Sequence, residues 1–127
     1  MQEQHLFEYA VIRVVPRVDR EEFMNIGVVV YCSKQKFLNV LFELNEERLS
    51  TFCKDLDIAV LQENLYSFER ICTGGDQAGT IGKLDIASRF RWLTATRSTV
   101  LQTSRAHAGL CHNAGETLHK IYSKMVL

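Results

Sequence analysis

Three segments in the first third of the chain are rich in β-branched and aromatic side chains, and the connections between them are too short to hold a crossover helix. Residues 7–15 include Phe7, Tyr9, Val11, Ile12, Val14 and Val15; residues 23–32 contain the run Ile26-Gly27-Val28-Val29-Val30-Tyr31; residues 37–44 alternate Leu38, Val40, Phe42 and Leu44 with polar Asn39 and Glu43. Such runs read as strands. Parallel neighbours need a dozen or more connecting residues, so the spacing predicts an antiparallel three-stranded meander. Everything that follows in the chain must pack on or extend that sheet.

Helical signals come later. Asn45 is an N-cap residue, and Leu44 and Leu49 have the spacing of a hydrophobic staple, which predicts a short helix ending near Cys53. Asp57 caps a run with Ile58, Leu61, Leu65, Phe68 and Cys72 at three- and four-residue steps, stopped by Gly74-Gly75. Asp85 caps a third stripe of Ile86, Phe90 and Leu93, with a strand over 89–94 as the competing reading. Residues 99–103 read as a fourth strand, and residues 114–125 carry Leu118, Ile121, Tyr122 and Met125 in helical register. The expected class is α+β, a mainly antiparallel sheet of an N-terminal three-strand meander plus a later strand, packed against three to four helices. With 127 residues, one proline and no repeat or low-complexity tract, residues 1–127 are expected to form a single domain.

The meander's register places a polar pair. A four-residue turn at 33–36 sets Cys32 opposite Phe37 and Gly27 opposite Phe42, while a loop at 16–22 sets Arg13 opposite Asn25. With period-two alternation, one face then carries Phe7, Tyr9, Val11, Val29, Tyr31, Leu38, Val40, Phe42 and Leu44, the expected core. Arg13 and Asn25 lie side by side at its end, where a guanidinium needs a partner. Either Glu21 or Glu22 supplies one, or the pair binds an anion or polar ligand.

Composition narrows function further. Fifteen basic against fifteen acidic side chains exclude a wholly basic nucleic-acid binder, yet residues 1–72 hold 8 basic and 12 acidic groups and residues 73–127 hold 7 and 3. The later half therefore has the arginines for a local positive surface, namely Arg89, Arg91, Arg97 and Arg105, near Phe90 and Trp92. On a helix Arg89 and Arg91 point about 200° apart, and Arg97 and Arg105 flanking a strand are roughly 25 Å apart. Arg89 and Arg97 are thus the preferred ligand candidates of the four, joining Arg13 and Asn25.

Other chemistry is poorly supported. Gly82-Lys83 has Gln77 where a phosphate loop needs its first glycine, Leu84 follows instead of Ser or Thr, and a helix precedes it; a flexible connection is expected over 74–83. Cys32, Cys53, Cys72 and Cys111 form no C-x-x-C pair, and His107, Cys111, His112 and His119 match no common zinc spacing. No metal or cofactor is expected. Ser98, Thr99 and His107 lack any nucleophile-elbow context, and Glu46-Glu47 and Asp55-Asp57 read as helix-start acids. The opening Met1-Gln2-Glu3-Gln4-His5 has no secretory pattern, and the longest apolar run, 26–32, is far short of a span, so a cytoplasmic protein without membrane insertion is expected.

The ordered motifs Tyr9-x-Val11-Ile12-Arg13-x-x-Pro16, Glu22-Phe23-x-Asn25-x-Gly27-Val28, Phe68-Glu69-Arg70-Ile71-Cys72, Arg89-Phe90-Arg91-Trp92-Leu93-Thr94 and Arg97-Ser98-Thr99 with Gln102 closely resemble bacterial Domain of Unknown Function 3037 across nearly the whole chain. The sequence departs from that pattern at Thr96, at Arg105 and at His112-Asn113. The resemblance implies no reaction, substrate or cofactor; it implies an accessory role beside a kinase-like protein. The expected function is therefore a non-catalytic binding or accessory module with an arginine-lined anion or partner site at Arg13, Asn25, Arg89 and Arg97. The alternatives are an enzyme acting on a phosphate-bearing substrate and a weak nucleic-acid-binding domain.

Overall fold

The computed structural model describes residues 3–16, 22–95 and 100–127. Five strands are formed, β1 (His5–Val14), β2 (Met24–Cys32), β3 (Phe37–Phe42), β4 (Leu101–Thr103) and β5 (His107–Cys111). The helices are α1 (Glu46–Phe52), α2 (Ile58–Thr73), α3 (Gly79–Gly82), α4 (Ile86–Leu93) and α5 (Ala114–Met125). The sheet runs β3-β2-β1-β4, all antiparallel, and β5 pairs with the other half of the β1 edge that β4 uses. This is the α+β class expected from the meander, enlarged by one strand.

The caps act where the sequence puts them. Asn45, Asp57 and Asp85 each accept a hydrogen bond from the backbone N–H three residues on, as does Asn113 at the start of α5, meeting donors that a helix start leaves unpaired. Gly74, at φ 80°, ends α2. Residues 89–94 are helical up to Leu93, which removes the strand reading. The 74–83 segment is not a flexible connection but a folded turn: a single 3-10 turn over Asp76–Ala78 leads into α3, and the Gly75 N–H donates to the Gly82 carbonyl at 2.9 Å. A side chain on Gly82 would collide with the Gly75 carbonyl, so the closure requires glycine there.

The β2–β3 register is the expected one, with Gly27 opposite Phe42 and Cys32 opposite Phe37. The expected core face is corrected. Between Ile12↔Gly27 and Arg13↔Asn25 the register shifts by one, leaving Ile26 as an extra residue on β2, which is a β-bulge. Past it, Phe7 and Tyr9 share a face with Val28, Val30 and Cys32, while Ala10, Ile12 and Val14 share the other with Val29, Tyr31, Leu38 and Val40. Both faces are buried. The first is covered by α5 through Ala114 and Leu118; the second by α1, α2 and α4 through Leu49, Leu61, Leu65, Phe68, Phe90 and Leu93. The uninterrupted apolar run 26–32 is what a strand buried on both sides requires.

β4 and β5 are one edge broken by a second irregularity. Between Ile12↔Thr103 and Tyr9↔His107, β1 contributes two residues and the opposing chain three, 104–106. Ser104 repairs the break. Its N–H donates to the Val11 carbonyl at 2.8 Å, and its Oγ accepts from the Val11 N–H at 2.9 Å, standing in for the missing backbone acceptor. At 6% exposure Ser104 is the buried polar residue among those described, and nothing in its sequence surroundings marks it.

Candidate functional site

Arg13 and Asn25 are brought together as the register predicts. Because the extra residue lies on β2, the alternation of β1 is unbroken, and Arg13 follows Phe7, Tyr9 and Val11 onto the α5 side of the sheet. The Arg13 guanidinium lies over the Phe23 ring with its Cζ 4.1 Å from the centroid, and Phe23 is 47% exposed. Such stacking is itself favourable, by about 0.5–1 kcal/mol at an exposed site. Arg13 Nε is buried without a hydrogen-bond partner, and so is Asn25 Oδ1, whereas Asn25 Nδ2 donates to the Met125 carbonyl at 3.1 Å. Asn25 is thus anchored to the last turn of α5, where Arg48 also reaches the Val126 carbonyl at 3.5 Å. Glu21 lies outside the described residues, and Arg13 makes no ion pair with a described carboxylate.

Arg89 is elsewhere. On α4, on the opposite side of the sheet, its Nη1 donates to the carbonyls of Ile71 and Cys72 at 2.9 and 2.8 Å, and its Nε to that of Leu84 at 3.1 Å. It caps the end of α2 with a charged donor and ties that end to the turn before α4. Gly74 matters here too, since a Cβ on it would stand 2.6 Å from Arg89 Nη1. Buried beneath this corner, the Cys72 thiol is pushed up to about 12, burial outweighing the nearby guanidinium. It stays neutral and is no nucleophile. Asp85 opens the same helix with its carboxyl held below the usual range by the Ser88 hydroxyl and backbone N–H.

Arg91, not among the preferred ligand candidates, is exposed and makes a two-pronged pair with Glu8 of β1, 3.0 and 2.7 Å. That hydrogen bond raises its pKa. The pairing joins the basic later half to the acidic first half, so folding interleaves part of the charge asymmetry. Arg97 and its neighbours Ser98 and Thr99 lie outside the described residues. Of the set considered for zinc, the His107 ring packs against Tyr9 at 5.2 Å, Cys111 is buried with its thiol shifted upward by desolvation, and His112 Nδ1 contacts the Glu3 carbonyl. Among the described residues no three His, Cys, Asp or Glu side chains gather as a metal site.

A cavity of about 210 Å³ opens between α2 and β4, on the Arg89 side of the sheet. Its floor is Phe68, Ile71 and Leu101, and its polar groups are the amides and hydroxyls of Asn64, Ser67, Gln102 and Thr103. None of its described lining residues is charged, and neither Arg13, Asn25 nor Arg89 belongs to it. Sequence reasoning missed this concavity because it depends on how α2 sits against β4, which no local pattern encodes.

A five-stranded antiparallel sheet packed on both faces by helices, with a stacked arginine at one end and no assembled catalytic or metal set among the described residues, defines an α+β protein whose fold does not by itself name a chemistry. The chain belongs to the family described as protein of unknown function DUF3037, whose model matches residues 9–126. No curated protein and no solved structure matches it.

Proposed function

We propose that this chain is a single-domain, non-catalytic binding module that engages an anionic group of a partner at the Arg13–Phe23–Asn25 corner. One observation carries the reading. Arg89 and Arg91 are engaged by backbone carbonyls and a carboxylate, whereas the Arg13 guanidinium makes no hydrogen bond to a described residue and rests on a half-exposed aromatic ring. A guanidinium held flat by a ring, with donors that no described residue accepts, suits bidentate recognition of phosphate or carboxylate. Arg89 is assigned to the fold, and the cavity beside α2 lacks, among its described residues, the cation that a phosphate-bearing substrate needs. The accessory role beside a kinase-like protein attaches to this corner as part of the proposal. So does a reducing compartment, with which four free cysteines accord; no helix among the described residues is long and apolar enough to cross a membrane.

The test is a titration with inorganic phosphate, an acidic peptide and a short single-stranded DNA, followed by NMR at the Arg13 Nε–H and the Phe23 ring. Saturable shifts there, lost in Arg13→Met and Phe23→Ser variants of unchanged thermal midpoint, are expected for phosphate or the peptide. Binding to DNA alone, with steep loss on adding salt, would assign a nucleic-acid role instead. A flat response at Arg13 to all three would overturn the proposal.

A further inference from the structure

The outer edge of β5 carries a feature that the binding corner does not use. The Val15 N–H donates to the Val100 carbonyl, and Val11 exchanges hydrogen bonds with Ser104, so the odd-numbered residues of β1 turn their backbone groups toward β4 and β5. In an antiparallel ladder that assignment alternates. His5, Phe7 and Tyr9 therefore bond Cys111, Gly109 and His107, their register partners, and the N–H and C=O of Ala108 and Leu110 point outward. Among the described residues no strand pairs with that edge.

Exposed edges are ordinarily blunted by lysine, proline, a bulge or a covering loop. His107-Ala108-Gly109-Leu110-Cys111 has no lysine or proline, and its register with β1 is regular throughout. Leu110 stands directly opposite Leu6, and the two are 62% and 61% exposed, among the most exposed large apolar side chains described. They continue the sheet face on which Glu8 and Arg91 pair, opposite Ala108.

We propose that a second copy of this chain docks here, β5 against β5 in antiparallel register about Gly109. The choice of occupant follows from the sequence of the edge. A two-fold axis through Gly109 sets Ala108 opposite Leu110 of the second copy, and Leu110 opposite its Ala108. Those are the two residues with outward backbone groups, so one operation satisfies all of them with four hydrogen bonds, an isologous contact. The small residue meets the large one. Each cross-sheet row then reads Leu6, Leu110, then Ala108 and Glu8 of the second copy, so the two leucines run up to the Glu8–Arg91 pair, whose charges are already matched. On the other face the pair at the axis is glycine against glycine. Phe7, whose Cε1 would lie 2.8 Å from a Cβ on Gly109, keeps that space filled. The edge bears no formal charge, and the whole chain has none, so association meets no net repulsion. A five-residue edge belongs with small, concentration-dependent interfaces.

Sedimentation velocity from about 10 μM to about 1 mM should show a monomer–dimer equilibrium. Ala108→Pro removes an outward N–H and no β1 ladder bond, and Leu110→Lys sets a charge on the edge; each is expected to weaken dimerisation by about tenfold or more, equivalent to about 1.4 kcal/mol, with the thermal midpoint of the monomer kept. Hydrogen exchange on the unmodified chain gives a check that needs no variant. The Ala108 and Leu110 amides should gain protection as concentration rises, while solvent-facing amides of α2 do not. A chain monomeric throughout the range, a dimer indifferent to both substitutions, or concentration-independent exchange at 108 and 110 would overturn the proposal. Because the corner at Arg13 is untouched by these changes, phosphate or peptide binding there stands or falls separately.

Discussion

Arg89 and Arg13 sit on opposite faces of one sheet, and the same side chain does different things on the two sides. At Arg89 the guanidinium is surrounded by carbonyls that α2 and the following turn cannot satisfy themselves, and three hydrogen bonds fix it. At Arg13 the sheet backbone is already paired and the carbonyls at the end of α5 are taken by Asn25 and Arg48, so among the described residues the guanidinium finds a ring and no carbonyl. Whether an arginine serves the fold or remains available for a ligand is therefore decided by which nearby backbone acceptors are left unpaired. The end of α2 offers them to Arg89, whereas at the end of α5 Asn25 and Arg48 have taken them before Arg13 can.

The comparison predicts its own hierarchy of damage. Arg89→Met keeps the length of the stem and deletes the donors to Ile71, Cys72 and Leu84. Hydrogen bonds from a charged donor contribute more than neutral ones, and the stranded carbonyls add to the loss, so a cost of about 3 kcal/mol is expected. Denaturant unfolding measures it directly. A loss below about 1 kcal/mol, with a ligand-binding defect instead, would return Arg89 to the binding site. Ser104→Ala comes next. It strands the buried Val11 N–H at the break between β4 and β5, for an expected loss of about 2 kcal/mol. Hydrogen exchange at the Val11 amide should accelerate with it, which locates the defect at the break.

How far these regions could be read beforehand differs in the same way. The Asp57 cap, the apolar stripe and the Gly74 stop of α2 are local signals, and they delimit the helix as found. Arg13 beside Asn25 was legible because a loop length and period two suffice for it. The assignment of faces was not, because one extra residue at Ile26 reverses every side chain beyond it. Only the unbroken run through Cys32 hinted that both faces are covered. β5 escaped for another reason. His-Ala-Gly-Leu-Cys carries no β-branched residue, and its strand conformation comes from pairing with β1, not from propensity. Arg89 was recognisable as an important position, but its role depends on the α2 terminus 15 or more residues away in the chain, which no local pattern shows.

The Arg89 corner also has a pH signature. The Asp85 carboxyl is hydrogen-bonded by Ser88 as an anion, so its folded pKa lies below its unfolded value. A lowered pKa means that the unfolded chain takes up the proton more readily. The contribution is accordingly present above the unfolded value near pH 4 and is lost as pH falls through the folded one. Stability followed from about pH 5 downward should fall less steeply in Asp85→Asn, which keeps a capping oxygen and lacks the titration. Identical slopes would remove Asp85 from the acid response.

The smallest expected effect on stability is the most informative one. Arg13→Met loses the stacking on Phe23, about 0.5–1 kcal/mol, and at the same time removes a buried N–H that has no acceptor. The two changes oppose each other, and methionine fills much the same volume as the stem, so stability should stay within about 1 kcal/mol of the unmodified chain. An arginine whose deletion leaves the fold intact while abolishing phosphate or acidic-peptide binding is serving a ligand. A loss as large as that of Arg89→Met would instead mean that the sheet end, like the end of α2, is held together by its guanidinium, and the contrast between the two faces would vanish.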